Sequence, residues 1–548
     1  MTEADVVDIA RRIHTRDVSL WAAAPEAQSI VGKRLGWLDA PDWLNENREE
    51  LTTWARDIRG QGFERVVVLG MGGSSLAARA LAGVFGKTEQ GLPLVVLDTT
   101  HPAAVTAAAA CLPETLFVSA SKSGTTTEVT ALTAYFYQQV KAERGRAAGE
   151  NFVAITDAGS ALQRYAEAHD FRRCFLNPAD VGGRFSVLTA FGMVPAALLG
   201  LDLDRMFNSA RTARAASGAD TPDADPSALR LGQAMARSAL AGRNKLTLLL
   251  SPQLGAFSVW VEQLVAESIG KSGIGIIPVI DESLPIGAYG MDRFFVAVTL
   301  TGDHTLDETL QALEAAGHEI DHHQLDDRYD LAGEFFRWEF AVAVAGALLA
   351  VNPFDEPDVV SSKQTTRRLL EGKKEEQANS IGEIRDDAGL TLRMPISLVD
   401  EDAGLSGQLL RFFQNAGPTN YLTLMPFLYM TDDVQNALSE LITALRAVLP
   451  LPVILNPGPR YLHSTGQLHK GGPNSGLYLI ITASTDTMLA IPGEPYSFSD
   501  LNNAQASGDF LSLAALDRQV AHLDLGSSPQ QALAAVTAEV QLRWTESA

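Results

Sequence analysis

The chain has little cysteine: Cys111 and Cys174 are the two in its 548 residues. Two cysteines exclude a disulfide-stapled scaffold and a four-thiolate zinc site, and they are typical of a reduced, intracellular protein. The chain also lacks a basic excess, because 66 acidic residues outnumber 43 basic ones and give a formal net charge of −23. That charge repels nucleic acid and anionic lipid, so we expect neither as a partner.

Long hydrophobic runs are missing as well. The longest apolar stretch, 340–351, is shorter than the roughly 20 residues that a transmembrane helix needs. Residues 1–17 have neither the basic head nor the apolar segment of a signal peptide. We therefore expect a cytoplasmic protein without a membrane anchor. Its length corresponds to three or four domains, and 46% hydrophobic and 20% charged residues are typical of a globular chain.

The order of apolar segments predicts an α/β protein. Residues 1–60 carry apolar side chains at helical spacing and predict a helical N-terminal segment. The remainder divides into a first α/β domain (61–227, ending in the polar segment 215–227), a second (228–371) and a C-terminal α/β domain (372–548). Runs rich in β-branched residues alternate with helical stretches, which predicts parallel sheets covered by helices.

The candidate strands are apolar runs bounded by turn residues. They lie at 65–70, 92–98, 115–121, 151–156, 245–251, 275–281, 293–300, 421–428, 451–455 and 476–484. The segment 334–349 reads as a core helix. His322 and His323, with Asp321 and Asp326, lack the spacing of a zinc site and are expected in a solvent-facing loop.

A glycine turn follows the first candidate strand, at Gly70 to Ser74. Glycine lets a backbone approach a ligand closely, and a helix that begins near Ser74 offers free N–H groups to an anion. A sugar-phosphate site, a dinucleotide loop and a simple βα turn all fit this pattern, so it does not decide among them.

A second turn is dense in hydrogen-bond donors and follows the strand at 115–121. Its hydroxyl and amine groups belong to Ser121, Lys122, Ser123, Thr125, Thr126 and Thr127. Hydroxyls and backbone N–H groups suit a compact phosphate monoester, and the spacing is not that of a nucleotide P-loop. An ordinary helix N-cap is the alternative, but a cap needs one such residue.

Five motifs together carry a family resemblance. They are Gly-Gly-Ser at 72–74, Ser-Lys-Ser-Gly-Thr-Thr at 121–126, Val-Gly-Gly-Arg-Phe-Ser at 181–186, the segment 263–271 around Glu267, and Asn-Pro-Phe-Asp at 352–355 followed by Lys363. In order and spacing they resemble the glucose-6-phosphate isomerase family of sugar isomerase (SIS) domain proteins, over roughly residues 60–370.

The resemblance implies two SIS-type parallel-sheet domains with the site between them, at the carboxyl ends of the strands. It implies reversible isomerisation of D-glucose 6-phosphate and D-fructose 6-phosphate through a cis-enediol, a step of glycolysis and gluconeogenesis that uses no cofactor and no metal. Another hexose phosphate, such as mannose 6-phosphate, and a non-catalytic sugar-phosphate sensor are the alternatives. Relatives are dimers in which a histidine crosses from the partner subunit. This chain lacks that histidine, which weakens the reason for two subunits to share a site, so we expect either a homodimer or a monomer.

Residue by residue, the resemblance implies that Glu267 is the base that moves the proton between C1 and C2. Its apolar neighbours are expected to raise its pKa; the alternative is a surface glutamate paired with Lys271 at i+4. Arg184 is expected to stabilise the enediolate, although a surface arginine after a turn is the other interpretation. Gln263 is expected to bond a sugar hydroxyl. Phosphate and sugar are expected to be held by Gly73, Ser74, Ser121, Lys122, Ser123, Thr125, Thr126 and Gly183.

Ring opening is where the sequence departs from the family. Relatives use a lysine, here Lys363, together with a histidine, but the matching position holds Asp292. We hypothesise that His469 in the C-terminal domain takes this role, since histidine titrates near neutral pH; Asp292, its neighbour Arg293 and His463 are the alternatives.

A second departure is Glu356, where relatives usually have glutamine. An added carboxylate is expected to weaken binding of an anionic sugar or to alter specificity.

The last third of the chain is similar to the isomerase half of bacterial transaldolase/glucose-6-phosphate isomerase fusions. Because residues 1–60 are too few for a transaldolase barrel, the isomerase alone is expected.

Overall fold

The structure of the chain is a computed structural model, and it describes residues 3–218, 226–373, 380–387, 389–400, 402–485 and 487–547. Most of the polar segment predicted at 215–227 lies outside these residues. The described chain divides into two compact units. Unit 1 comprises the described residues of 1–98, 108–282 and 291–356, and unit 2 comprises those of 99–107, 283–290 and 357–548.

The helices of the described residues are numbered in chain order. They are α1 (Glu3–His14), α2 (Pro25–Gly32), α3 (Ala40–Arg59), α4 (Leu76–Phe85), α5 (Pro102–Ala108), α6 (Thr127–Arg144), α7 (Ala161–Ala168), α8 (Ala190–Leu198), α9 (Leu203–Ala216), α10 (Ser227–Leu240), α11 (Ser258–Ile269), α12 (Asp307–Ala315), α13 (Leu331–Leu348), α14 (Val360–Leu370), α15 (Leu405–Gln414), α16 (Asp432–Val448), α17 (Gly466–Gly471), α18 (Phe498–Ala515) and α19 (Pro529–Ser547). In this part of the chain, none of the helices offers an apolar stretch sufficient to cross a bilayer.

The strands of the described residues form three sheets. They are β1 (Arg65–Gly70), β2 (Leu94–Leu97), β3 (Thr115–Ala120), β4 (Phe152–Asp157), β5 (Arg173–Asn177), β6 (Lys245–Leu250), β7 (Ile277–Val279), β8 (Arg293–Leu300), β9 (Ile320–Leu325), β10 (Ile381–Arg385), β11 (Thr391–Pro395), β12 (Tyr421–Pro426), β13 (Val453–Leu455), β14 (Gly476–Thr482) and β15 (Gln519–Asp524). The strand orders are β2-β1-β3-β4-β5, β7-β6-β8-β9 and β10-β11-β15-β14-β12-β13.

Unit 1 contains the first two sheets, and both are parallel throughout. Their central strands β1, β3, β6 and β8 are buried along nearly their whole length because helices cover both faces. One continuous apolar core runs from Ala10 to Phe354 and includes Trp37, Trp260 and Trp338. The N-terminal helices and both sheets therefore share this core.

Unit 2 is built on the third sheet, which is mixed. β12, β13, β14 and β15 pair in parallel, whereas β10 and β11 form an antiparallel edge. Its core is separate from that of unit 1 and packs β12 and β14 against α15, α16 and α19. The α/β class and the parallel SIS-type sheets predicted from the sequence are confirmed; the finer division at 60, 227 and 371 stays a prediction.

The loop predicted around His322 and His323 is wrong. Both residues belong to β9, one of the two edge strands of the second sheet. The buried Asp321 accepts a hydrogen bond from Arg337 Nη2 at 2.7 Å, and His323 Nδ1 lies 2.7 Å from Glu334 Oε2. The apolar pattern did not predict this strand because Asp321 and His323 are polar and pair with charged residues of the core helix α13. That helix was itself predicted correctly.

Candidate active site

The donor-rich turn leaves the carboxyl end of β3 and leads into α6. Its hydroxyls are arranged in pairs: Ser121 Oγ lies 3.0 Å from Thr126 Oγ1, and Ser123 Oγ lies 3.0 Å from Thr125 Oγ1. Gly124 has φ +69°, and a Cβ there would approach Leu162 N to 2.4 Å. The turn is therefore tight. Thr126 occupies the N-cap of α6 but makes no side-chain capping bond, so the plain cap interpretation does not account for these hydroxyls.

Lys122, the cation of this turn, already has protein partners. Its Nζ forms an ion pair with the Asp157 carboxylate and donates to the Ala179 carbonyl at 3.1 Å. Burial raises the pKa of Asp157 although Lys122 opposes this. The contacts of Lys122 thus do not support the predicted role as a phosphate ligand.

The glycine turn at 72–74 leaves the same edge of the sheet, since Gly70 of β1 is in register with Ala120 of β3. It contacts the turn that carries Arg184: a Cβ on Gly73 would lie 2.3 Å from the carbonyl of Gly183 and 2.8 Å from Arg184 N. Only glycine at position 73 permits this approach. Ser74 is half-buried beside it.

Arg184 is buried, with 5% of its side chain exposed, and its donors are directed at several acceptors. Nε donates to Ser268 Oγ at 2.9 Å, Nη2 to the carbonyls of Pro353 and Asp355 at 2.7 Å each, and Nη1 to Glu356 Oε2 at 3.0 Å. These contacts fix the plane of the guanidinium. The surface-arginine interpretation does not fit this environment.

Glu267 lies in the last turn of α11, next to Arg184. Its Oε1 is 3.3 Å from Arg184 Nη1, and its Oε2 accepts a hydrogen bond from Gln263 Nε2 at 2.9 Å. The side chain is 13% exposed. Burial raises the pKa of Glu267, Arg184 opposes the change, and Glu356 adds to it. A buried carboxylate of raised pKa has the character of a general base.

Lys271 does not form the surface pair with Glu267 that was the alternative interpretation. Its Nζ lies 2.9 Å from Asp355 Oδ1 and donates to the Asn352 carbonyl at 2.5 Å. Burial and the nearby Arg184 lower the pKa of Lys271 to about 8. Lys271 therefore anchors the segment that supplies acceptors to Arg184, a role that the sequence did not reveal.

Glu356 completes this cluster in unit 1. Its side chain is 41% exposed, and although burial alone would raise its pKa, the charge and hydrogen bond of Arg184 lower it. Gln263, Glu267, Arg184 and Glu356 are thus brought together in the structure, as the resemblance implied for the first three.

Two of the candidates for ring opening, Lys363 and His469, belong to unit 2. Lys363 is on the exposed face of α14 in unit 2. His469, in α17 of the same unit, is 1% exposed between the rings of Tyr461 and Tyr478. Burial, aided by Lys470, lowers the pKa of His469 to about 3, so the imidazole is neutral at working pH. These observations do not support His469 as an acid that meets substrate.

The alternatives have different surroundings. His463, in the short helical turn Arg460–His463, is half-buried and so reaches the surface. Asp292 immediately precedes β8 and pairs with Lys245 Nζ at 2.6 Å, which commits its carboxylate to a buried lysine. Among the described residues no cluster of three or more histidines, cysteines, aspartates or glutamates could hold a metal ion.

The comparisons with known proteins agree with this geometry. The family profile described as PGI, phosphoglucose isomerase, matches residues 47–276. A glucose-6-phosphate isomerase of Symbiobacterium thermophilum is 32% identical over 391 residues, which cover 61% of this chain and 86% of that protein. The chain belongs to the phosphoglucose isomerase family. A glucose-6-phosphate isomerase of Enterococcus faecalis is 31% identical over 395 residues, again covering 61% and 86%.

Solved structures show the same fold as this phosphoglucose isomerase family member. A hypothetical protein of Thermus thermophilus aligns with a TM-score of 0.57 and 25% identity over 67% of this chain and 94% of that one. A glucose-6-phosphate isomerase of Chlamydia trachomatis aligns with a TM-score of 0.51 and 20% identity over 68% and 79%. The resemblance noted in the five motifs is thereby confirmed at the level of the family.

Proposed function

We propose that the chain catalyses the reversible isomerisation of D-glucose 6-phosphate and D-fructose 6-phosphate through a cis-enediolate. The observation that carries this is the contact of Glu267 with Arg184, 3.3 Å apart, in a buried site. A base and a fixed cation at that distance are what proton transfer beside a carbonyl requires.

In the forward direction Glu267 removes the C2 proton of the open-chain aldose and holds it. The electron pair of the broken C2–H bond forms the C1=C2 bond, and the former C1 carbonyl oxygen takes the negative charge, which Arg184 offsets. A proton then passes from the C2 hydroxyl to the C1 oxygen, Glu267 returns the proton that it holds to C1, and the C2 carbonyl of the ketose forms. Gln263, which donates to Glu267 Oε2, orients the carboxylate so that Oε1 is directed to the substrate.

A series of neighbouring contacts supports the Ser121–Thr126 turn as the phosphate site. That turn and the turn at 72–74 leave adjacent strands, Gly73 contacts the Gly183–Arg184 turn, and Arg184 contacts Glu267. Paired hydroxyls and the first N–H groups of α6 suit a dianionic phosphate. Lys363 and a histidine are assigned to ring opening by resemblance, and His463 fits the histidine role better than the buried His469.

The test is turnover of fructose 6-phosphate by the purified full chain, followed as NADP⁺ reduction through added glucose-6-phosphate dehydrogenase. Glu267→Gln is expected to lower kcat by about 10²- to 10⁴-fold, the usual contribution of a general base. Glu314→Gln removes an equal charge from an exposed site on α12 and is expected to match wild type. A full-rate Glu267→Gln enzyme would remove the proposed base.

Assays on the same purified protein distinguish the alternative functions. Turnover of mannose 6-phosphate would place a second hexose phosphate in the site, and sugar-phosphate binding by calorimetry without any turnover would make the chain a sensor. The cytoplasmic location stays a prediction. So does the assembly as monomer or homodimer, which light scattering on the eluting protein measures.

A further inference from the structure

The carboxylate of Glu356 shares a guanidinium nitrogen with the proposed base. Arg184 Nη1 donates to Glu356 Oε2 at 3.0 Å and lies 3.3 Å from Glu267 Oε1. Of these two contacts, the one to Glu356 has the geometry of a hydrogen bond. The contact to Glu267 is an ion pair that is longer than a typical charge-assisted bond.

The other donors of Arg184 are bonded to acceptors other than Glu267. Nε is bonded to Ser268, and Nη2 is bonded to the carbonyls of Pro353 and Asp355. A guanidinium that pairs fully with a carboxylate does so through two parallel bonds. Here the guanidinium does not pair with Glu267 in that way, and Glu356 occupies the Nη1 donor nearest to it.

We propose that Glu356 is a positioning residue that competes with Glu267 for Arg184 and thereby keeps Oε1 of Glu267 available as a base. The proposal rests on the proposed function, because it assigns Glu267 to proton transfer. In this arrangement Arg184 stays close enough to stabilise an enediolate, yet it does not bind the base so tightly that the carboxylate loses its proton affinity.

The charges around Glu267 agree with the proposed effect of Glu356 on the proton affinity of the base. Arg184 and Lys271 lower the pKa of Glu267, whereas burial and Glu356 raise it. On the other side, Glu356 also faces Arg34, and Lys271 is largely compensated by Asp355 at 2.9 Å. Removing the charge of Glu356 is therefore expected to make Glu267 a weaker base.

The experiment is the pH dependence of kcat/KM for fructose 6-phosphate, whose acidic limb reports the essential base of the free enzyme. Glu356→Gln keeps the shape and an oxygen acceptor for Arg184 but removes the charge. We expect the acidic limb to move to lower pH by about 2 units, as for two charges about 6 Å apart at the effective dielectric constant of about 20 near a protein surface. We also expect the plateau of kcat to fall several-fold because the base is weaker.

Two variants complete the design. Glu356→Asp keeps the charge and is expected to leave the acidic limb at its wild-type position. Glu319→Gln removes a carboxylate that bridges Arg237 and Arg243 and controls for net charge. The substrate phosphate titrates in the same way with every variant. Differences between the acidic limbs of their pH profiles therefore come from groups of the protein.

The outcomes separate the two hypotheses. A limb that shifts down in Glu356→Gln but not in Glu356→Asp or Glu319→Gln supports the proposal. If the wild-type chain is active and Glu356→Gln melts at the wild-type temperature with an unshifted acidic limb, the proposed role of Glu356 is overturned. The proposed isomerase activity is unaffected by that result. A wild-type chain without turnover instead removes the proposed function, and the role of Glu356 with it.

Discussion

A buried ion pair in unit 2 allows a stability prediction worked from its geometry. Asp509 on α18 and Lys470 on α17 lie 2.6 Å apart, with 0% and 1% of their side chains exposed. Asp509 Oδ1 accepts a hydrogen bond from Ser362 and Oδ2 one from Tyr461, both at 2.8 Å. Replacing Lys470 by methionine keeps the length and leaves the carboxylate buried without its cation.

The expected loss is about 3–5 kcal/mol of unfolding free energy at pH 7, the usual result of removing one partner from a buried pair. For a unit of this size each kcal/mol corresponds to about 2–4 °C, so the calorimetric transition of unit 2 should fall by roughly 10 °C. Adding Asp509→Asn should recover part of the loss, because the amide keeps hydrogen bonds to Ser362 and Tyr461 without a charge.

The pH dependence has a definite sign. In wild type, burial would raise the pKa of Asp509, but Lys470 and the hydrogen bonds hold it below its ordinary value. That stabilisation is present above the unfolded-state pKa of about 3.9 and is lost as pH falls through the folded-state pKa. In Lys470→Met the folded-state pKa lies above the ordinary value, so stability should decrease as pH rises from about 4 to 7. A variant within about 1 kcal/mol of wild type at pH 7 would refute the reasoning.

Two further predictions concern the site. Gly73→Ala places a Cβ 2.3 Å from the Gly183 carbonyl and is expected to lower kcat/KM at least about tenfold by displacing the Arg184 turn, whereas Gly255→Ala, with open space around its Cβ, should match wild type in the coupled assay. His463→Asn is expected to slow turnover of fructose 6-phosphate more than that of an analogue that does not close its ring. His469→Asn should affect both substrates equally, and a selective loss there would restore His469 as the ring-opening group.

Much of the fold could be predicted because its central strands are continuous apolar runs. β1, β3 and β8 are covered by helices on both faces, and their sequences contain few interruptions. β5 and β9, which are edge strands with polar residues, were not predicted, and neither were β10, β11 and β15. Arg173 of β5 pairs with Glu50 and Asp321 of β9 pairs with Arg230, and local patterns carry no signal of such distant partners.

The candidate site was likewise predicted in part from the sequence. Motifs singled out Arg184 and Glu267, and the structure places their side chains in contact. The hydrogen bond from Arg184 to Glu356 joins positions 172 residues apart, so spacing along the chain could not reveal it. His469 misled for a related reason: its glycine-flanked segment is typical of an exposed loop, but the residues form a buried helix, α17.

The acceptors of Arg184 also set the order in which the site is completed during synthesis. The carbonyls of Pro353 and Asp355 follow the arginine by 169 and 171 residues. A nascent chain that has emerged as far as Ile269 already contains the arginine, the glutamate and Ser268, but it still lacks the two carbonyls that bind Nη2 and the Glu356 carboxylate that binds Nη1. Such long-range closure is slow compared with local helix formation, so catalytic competence is expected to be among the last properties that unit 1 acquires on the ribosome.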